Sequence, residues 1–282
     1  MKTTSTAVSP AAPPASGGDS TTSAVVFSAI DSESGDILKE VPANMPTPAP
    51  VQRGPIRVEV SCESFTHLHT AIEYAVLPST LRTEELTNAS LFQSGRPVAL
   101  GVTSAIAGEG KTTVALHLAM DIARNNFKKV CLIDMSLGDD TLSRRLSINA
   151  GAGLVDVLEG DGNTISTLNS FDCEGLSIMP AGKTPRNAAR AARSPGVSEV
   201  LAASRELFDV IVVDLPAMSS GNVMPIAPHL DTLVLVACAG VTPREVIKDA
   251  LNRLDPKKVL GVVLNRVKTS TPSWVRRRLE RW

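Results

Sequence analysis

From residue 98 onward, short apolar runs alternate with longer amphipathic ones. Apolar runs of strand length occupy 98–103, 129–134, 176–180, 210–214, 232–238 and 259–264. Between them, 112–125, 196–206 and 243–254 space their apolar residues at helical intervals. Apolar runs without regular polar alternation suit strands covered on both faces. Strand alternating with helix predicts an α/β fold: a mostly parallel, doubly wound sheet. In such sheets ligands bind beyond the carboxyl ends of the strands.

The N-terminal material is different. Residues 1–55 hold eight of the nineteen prolines among Ser, Thr, Ala and Gly, with one apolar island at Ala24 to Ile30. A segment with so little to bury cannot offset its ordering entropy, so it is predicted to be a disordered tail. Arg57 to Val60 then alternates like a short strand, and Glu63 to Val76 has helical spacing. Three regions follow: the tail 1–55, a domain over 56–270, and a basic amphipathic end over 271–282. That end carries both tryptophans, Trp274 and Trp282, with Arg276, Arg277, Arg278 and Arg281. Its composition suits an anionic membrane surface, and docking onto protein is the other reading.

A formal net charge of -1 lacks the global basic field that nucleic acid would call for. Four scattered cysteines, without paired spacing or neighbouring histidines, suggest neither a disulfide framework nor a metal cluster. No apolar run reaches the roughly 18 residues of a membrane helix, and no signal-like segment opens the chain. A cytoplasmic protein is expected.

The run Val98–Thr103 ends in Ser104-Ala105-Ile106-Ala107-Gly108-Glu109-Gly110-Lys111-Thr112-Thr113, and a helical pattern follows. Strand, Gly-rich turn and helix N-terminus gather backbone N–H groups around one anion-sized space. This is the layout of a phosphate-binding loop, here Ala107, Gly108, Glu109, Gly110, Lys111, Thr112 and Thr113. Lys111 would reach the terminal phosphates and the Thr112 hydroxyl would serve Mg²⁺. The strict pattern departs at Ala105, where the first Gly belongs. Two other strands end in a carboxylate, Val130–Asp134 and Val210–Asp214. Asp134 and Asp214 are therefore candidates to hold the ion or orient a nucleophile.

Gly108–Thr113, Leu132-Ile133-Asp134 and Ile211–Pro216 together resemble the cytoplasmic domain of the bacterial tyrosine kinases of capsule and exopolysaccharide assembly, P-loop relatives of the MinD/ParA ATPases. Gly153–Leu158, Ile178–Gly182, Ala239–Pro243 and Leu260–Asn265 match in the same order. The resemblance implies ATP and Mg²⁺ as cofactors, a homo-oligomer, and a membrane-spanning polysaccharide co-polymerase as partner. It implies a position at the inner face of the plasma membrane, and an adenine contact for Asn265.

Three departures stand beside the match. The family's Asp-x-Asp-x-Arg loop reads Asp134, Ser136, Gly138 here, and its Glu-x-x-Arg-x-x-Arg contact pattern reads Glu63, Thr66, His69. Asp139 or Asp140 could stand in for the missing carboxylate. Tyr74 is the only tyrosine, so there is no tyrosine cluster to phosphorylate. Three functions stay open: a kinase-type ATPase acting on a partner, a nucleotide-binding regulator with weakened catalysis, and a MinD/ParA-like positioning ATPase. One further feature, Arg186, Arg190 and Arg193 at i, i+4, i+7, predicts a basic helical face.

Overall fold

The computed structural model describes residues 24–29, 68, 72, 96–126, 128–138, 142–146, 148 and 151–267. The apolar runs become strands, joined by two short extra ones: β1 (Ala24–Ala29), β2 (Val98–Ser104), β3 (Val130–Asp134), β4 (Asn169–Ser170), β5 (Leu176–Met179), β6 (Val210–Ala217), β7 (Thr232–Cys238) and β8 (Val259–Val267). Among the described residues they form one sheet in the order β1-β8-β7-β2-β6-β3-β5-β4. Pairing is parallel from β8 through β5, while β1 and β4 add antiparallel edges. The α/β reading therefore holds, with strand boundaries within three residues of those expected.

The helices are α1 (Lys111–Asn126), α2 (Leu142–Arg145), α3 (Leu154–Glu159), α4 (Ala188–Ala192), α5 (Gly196–Leu207) and α6 (Arg244–Asn252). Side chains alternate across the strands, so the central strands feed two cores. Leu100, Val102, Leu132, Val212 and Val234 pack against the apolar side of α1. Ala99, Ile133, Ile211, Val213 and Leu235 line the opposite face, beneath residues of α3, α5 and α6. Leu68 and Ile72, one helical turn apart, are both buried in the α1-side core. The rest of the 56–95 stretch lies outside the described residues, with the strand expected at 57–60 and the contact pattern at Glu63, Thr66 and His69. No helix among the described residues is long and apolar enough to cross a membrane.

The apolar island of the Pro-rich segment departs from the expected disorder. Ala24–Ala29 is β1, pairing from Ala24↔Val267 to Ala29↔Gly261. The physical reason is the edge itself: without β1, one side of β8 would present a row of unpaired backbone groups.

The C-terminal edge of the sheet carries the loops that matter, and one close approach sets their shape. Gly153 precedes α3 and lies directly against Gly182, whose φ is +77°. The α3 N–H groups of Leu154 and Val155 donate to Pro180 O and Ala181 O at 2.8 and 3.0 Å. A Cβ on Gly153 would run into the backbone of Gly182 and Ala181. Gly153→Ala should therefore lower stability by about 1–3 kcal/mol, read from the denaturant midpoint. An unchanged midpoint would mean that α3 is free to shift away from the sheet edge.

Candidate functional site

The loop between β2 and α1 is held first by its neighbours. Thr103 Oγ1 donates to Pro216 O at 2.7 Å, and Ser219 N–H donates to Ala105 O at 3.1 Å, fastening the loop's start to the end of β6. Gly108 and Gly110 adopt φ of +92° and +95°. Side chains other than Gly seldom accept that region, so these two turns need glycine. Ala107 and Gly108 are exposed, and α1 begins at Lys111. The first N–H groups of a helix lack partners inside it, and its dipole favours anions there. Lys111 Nζ lies 3.3 Å from Asp214 Oδ1 and 3.3 Å from Thr112 Oγ1. The structure thus brings Lys111, Thr112 and Asp214 to one point.

Asp134 joins them through sheet register. Asp134 and Asp214 are direct partners on the parallel strands β3 and β6, and both are fully buried. Asp134 is saturated: Oδ1 accepts from Ser136 N–H and Oγ–H at 3.2 and 2.6 Å, and Oδ2 accepts from Leu142 N–H at 2.6 Å. Burial raises its pKa, the Asp214 charge adds to the rise, and the Ser136 and Leu142 bonds oppose it. Asp214 differs. Its Oδ1 meets Lys111, while its buried Oδ2 has no hydrogen-bond partner among the described residues. A buried carboxylate oxygen without a donor is costly on its own. A hydrated cation beside Thr112 would satisfy it, so these residues fit Mg²⁺.

The side chains of Glu109 and Asn265 both bond within the protein. Glu109 is only 1% exposed, and its side chain turns from the loop to bond Ile106, Cys238 and Thr242. Asn265 sits beneath the loop, where its Nδ2 donates to Glu109 O at 2.8 Å and its Oδ1 accepts from Arg266 N–H at 2.9 Å. The residues that sequence reasoning did not assign a role are Thr242, Cys238 and Leu142. Thr242 lies inside the matched run Ala239–Pro243, but nothing in that run signals a bond to a residue 133 positions away.

The basic face predicted for Arg186, Arg190 and Arg193 is not a single helical stripe. Asn187 caps α4 with Oδ1, so Arg186 precedes the helix and Arg193 follows it. Proline at 185 and the Asn187 cap set that start. The three arginines instead line a half-open cleft of about 990 Å³ with Glu159 and Asp161. Lys183 pairs with both carboxylates, at 3.1 and 3.3 Å. Asp139, Asp140, Tyr74 and the end 271–282 lie outside the described residues.

A phosphate-type loop on a parallel sheet, a lysine joined to a carboxylate inside β6, and a second carboxylate in register beside it define a P-loop nucleotide-binding protein. Residues 100–280 match the CobQ/CobB/MinD/ParA nucleotide binding domain, and the chain belongs to that family. Tyrosine-protein kinase CpsD of Streptococcus agalactiae is 29% identical over 203 residues, which cover 68% of this chain and 87% of the relative. Succinoglycan biosynthesis transport protein ExoP of Rhizobium meliloti is 28% identical over 193 residues, 66% of this chain but only 24% of that longer protein. Among solved structures, the kinase domain of Escherichia coli tyrosine kinase ETK superposes with a TM-score of 0.64 at 21% identity, over 75% of this chain and 78% of that one. That likeness is one of fold.

Asp134 makes stability depend on pH. The folded state holds Asp134's proton more tightly than the unfolded chain does, with a pKa pushed up to about 6. Its contribution is therefore fully present below the ordinary carboxylate pKa and is lost as pH rises through the raised value. In nucleotide- and metal-free protein, wild type should lose on the order of 1–3 kcal/mol relative to Asp134→Asn between pH 4 and pH 8. Parallel denaturation profiles for the two proteins would show that Asp134 titrates as an ordinary carboxylate.

Proposed function

We propose that this chain is an ATP- and Mg²⁺-dependent P-loop ATPase of the bacterial tyrosine-kinase type, acting in capsule or exopolysaccharide assembly. The observation that carries this reading is the Lys111–Asp214 contact beside the unpartnered Asp214 Oδ2. Lys111 and the N–H groups from Ala107 to Thr113 bind phosphate. Thr112 and Asp214 hold the ion, with Asp134 in register to orient the attacking group. When bound, Mg²⁺ neutralises charge on the phosphates. Relatives named as tyrosine kinases and as a polysaccharide transport protein support the polysaccharide setting. With Tyr74 the only tyrosine, the acceptor is another molecule, for which a membrane-spanning co-polymerase is the natural partner.

Lys111→Ala should weaken ATP binding by about 10–100-fold, the worth of a charged hydrogen bond, with the fold intact by circular dichroism. Asp214→Asn should keep part of that affinity and lose Mg²⁺-dependent hydrolysis by about tenfold or more. Calorimetry and phosphate release read the two. Equal ATP affinity for Lys111→Ala and wild type sinks the assignment.

Ser136 favours a second reading, a nucleotide-binding regulator with weakened transfer. It stands where the resembling kinases carry another carboxylate, and its hydroxyl is spent on Asp134 at 2.6 Å. On this reading the wild type binds ATP, yet phosphotransfer to a tyrosine peptide is slower by about 10²–10⁴-fold than a positioned base would allow. Rapid labelling of such a peptide from radioactive ATP excludes the regulator.

The end 271–282 anchors the protein on anionic lipid in this picture, each arginine near the surface adding about 1 kcal/mol. Deleting it should abolish co-sedimentation with phosphatidylserine vesicles at low salt. Equal pelleting of full-length and truncated protein would leave anchoring to the partner.

A further inference from the structure

Glu109 belongs to the phosphate loop by sequence, but its side chain does nothing a ligand could use. Oε2 accepts from Ile106 N–H at 2.8 Å, closing the loop on itself. Oε1 leaves the loop altogether: it accepts from Cys238 N–H at 3.2 Å and from the Thr242 hydroxyl. Thr242 Oγ1 in turn accepts from the Cys238 N–H at 3.2 Å. One threonine therefore spends its proton on the loop and its lone pair on the end of β7. Burial raises the Glu109 pKa, and the Thr242, Ile106 and Cys238 bonds offset part of that rise.

A second hold comes from β8. Asn265 Nδ2 donates to the backbone carbonyl of the same Glu109 at 2.8 Å. Its other end is fixed by Arg266 N–H, and Arg266 carries φ of +59°, a conformation a long side chain rarely adopts. The Asn265 amide fills the space under Gly110, so that a Cβ there would collide with it. The loop is thus gripped by carboxylate and by carbonyl, from two strands on the same side of β2. Burying a carboxylate is expensive unless each oxygen finds donors. Glycines in left-handed turns would otherwise leave the loop many conformations.

We propose that Glu109, Thr242 and Asn265 are positioning residues. They form a strut that sets the loop's backbone N–H groups before ligand arrives and couples the loop to the turn Ala239–Pro243. This rests on the reading that the loop binds nucleotide phosphates. Binding sites held in the bound shape avoid the ordering cost of association, so the strut should raise nucleotide affinity.

The test uses the full chain with Thr242→Val, which keeps the shape and removes the hydroxyl, Thr242→Ser as the rescuing variant, and Glu109→Gln as a second disruption. Hydrogen exchange without nucleotide is read over 105–113 and 238–243, and affinity is read with a fluorescent ATP analogue. Thr242→Val and Glu109→Gln should speed exchange in both segments, leave the α5 core unchanged, and weaken binding about tenfold, the worth of one charge-assisted bond. Thr242→Ser should restore both. Wild-type exchange in Thr242→Val overturns the strut. Faster exchange with unaltered affinity overturns the positioning role. If wild type itself does not bind the ATP analogue, the nucleotide reading falls and takes the positioning role with it, while the exchange result still decides the strut.

Discussion

The register of β3 against β6 places two carboxylates side by side at the buried end of a parallel sheet, and much around them answers to that pairing. Neither carboxylate reaches water, and like charges that close raise each other's energy. The two are treated oppositely. Asp134 is quenched by three donors from Ser136 and Leu142. Asp214 has Lys111 on one oxygen and, among the described residues, no hydrogen-bond partner on the other. A buried carboxylate oxygen without a donor carries an unmet electrostatic demand.

The loop opposite is exposed glycine on one side and rigid support on the other. Backbone N–H groups are useful anion binders only if they stay aimed. The conformational freedom of Gly108 and Gly110 works against that. Their support comes from residues distant in sequence, Thr242 on the Glu109 carboxylate and Asn265 on the Glu109 backbone carbonyl. Glu109 therefore matters to the site by its absence from the ligand side.

Ser136 shows how a small change redistributes roles. A second carboxylate at that position would stand beside Asp134 and add a third negative charge to a buried group. A serine supplies a donor instead. The serine hydroxyl is thereby committed to Asp134.

Much of the fold was legible in the chain. Continuous apolar runs mark strands covered on both faces, and their order with the helices leaves few topologies. The loop from Ala107 to Thr113 and the strand-ending Asp134 and Asp214 are local signals, written within a few residues, so they could be read without coordinates. What could not be read is who meets whom across distance. The β1 pairing on β8, the turning away of Glu109, and the use of Asn265 on the loop depend on contacts more than a hundred residues apart. The break of the Arg186–Arg193 stripe was decided by Asn187 capping a helix of only five residues, a choice spacing alone does not reveal. Sequence by itself determined the charged residues that meet at the site, because each closes an apolar run or opens a helical one. Only the tertiary structure decided which residues meet, because strand order and register alone bring β2, β6, β7 and β8 together.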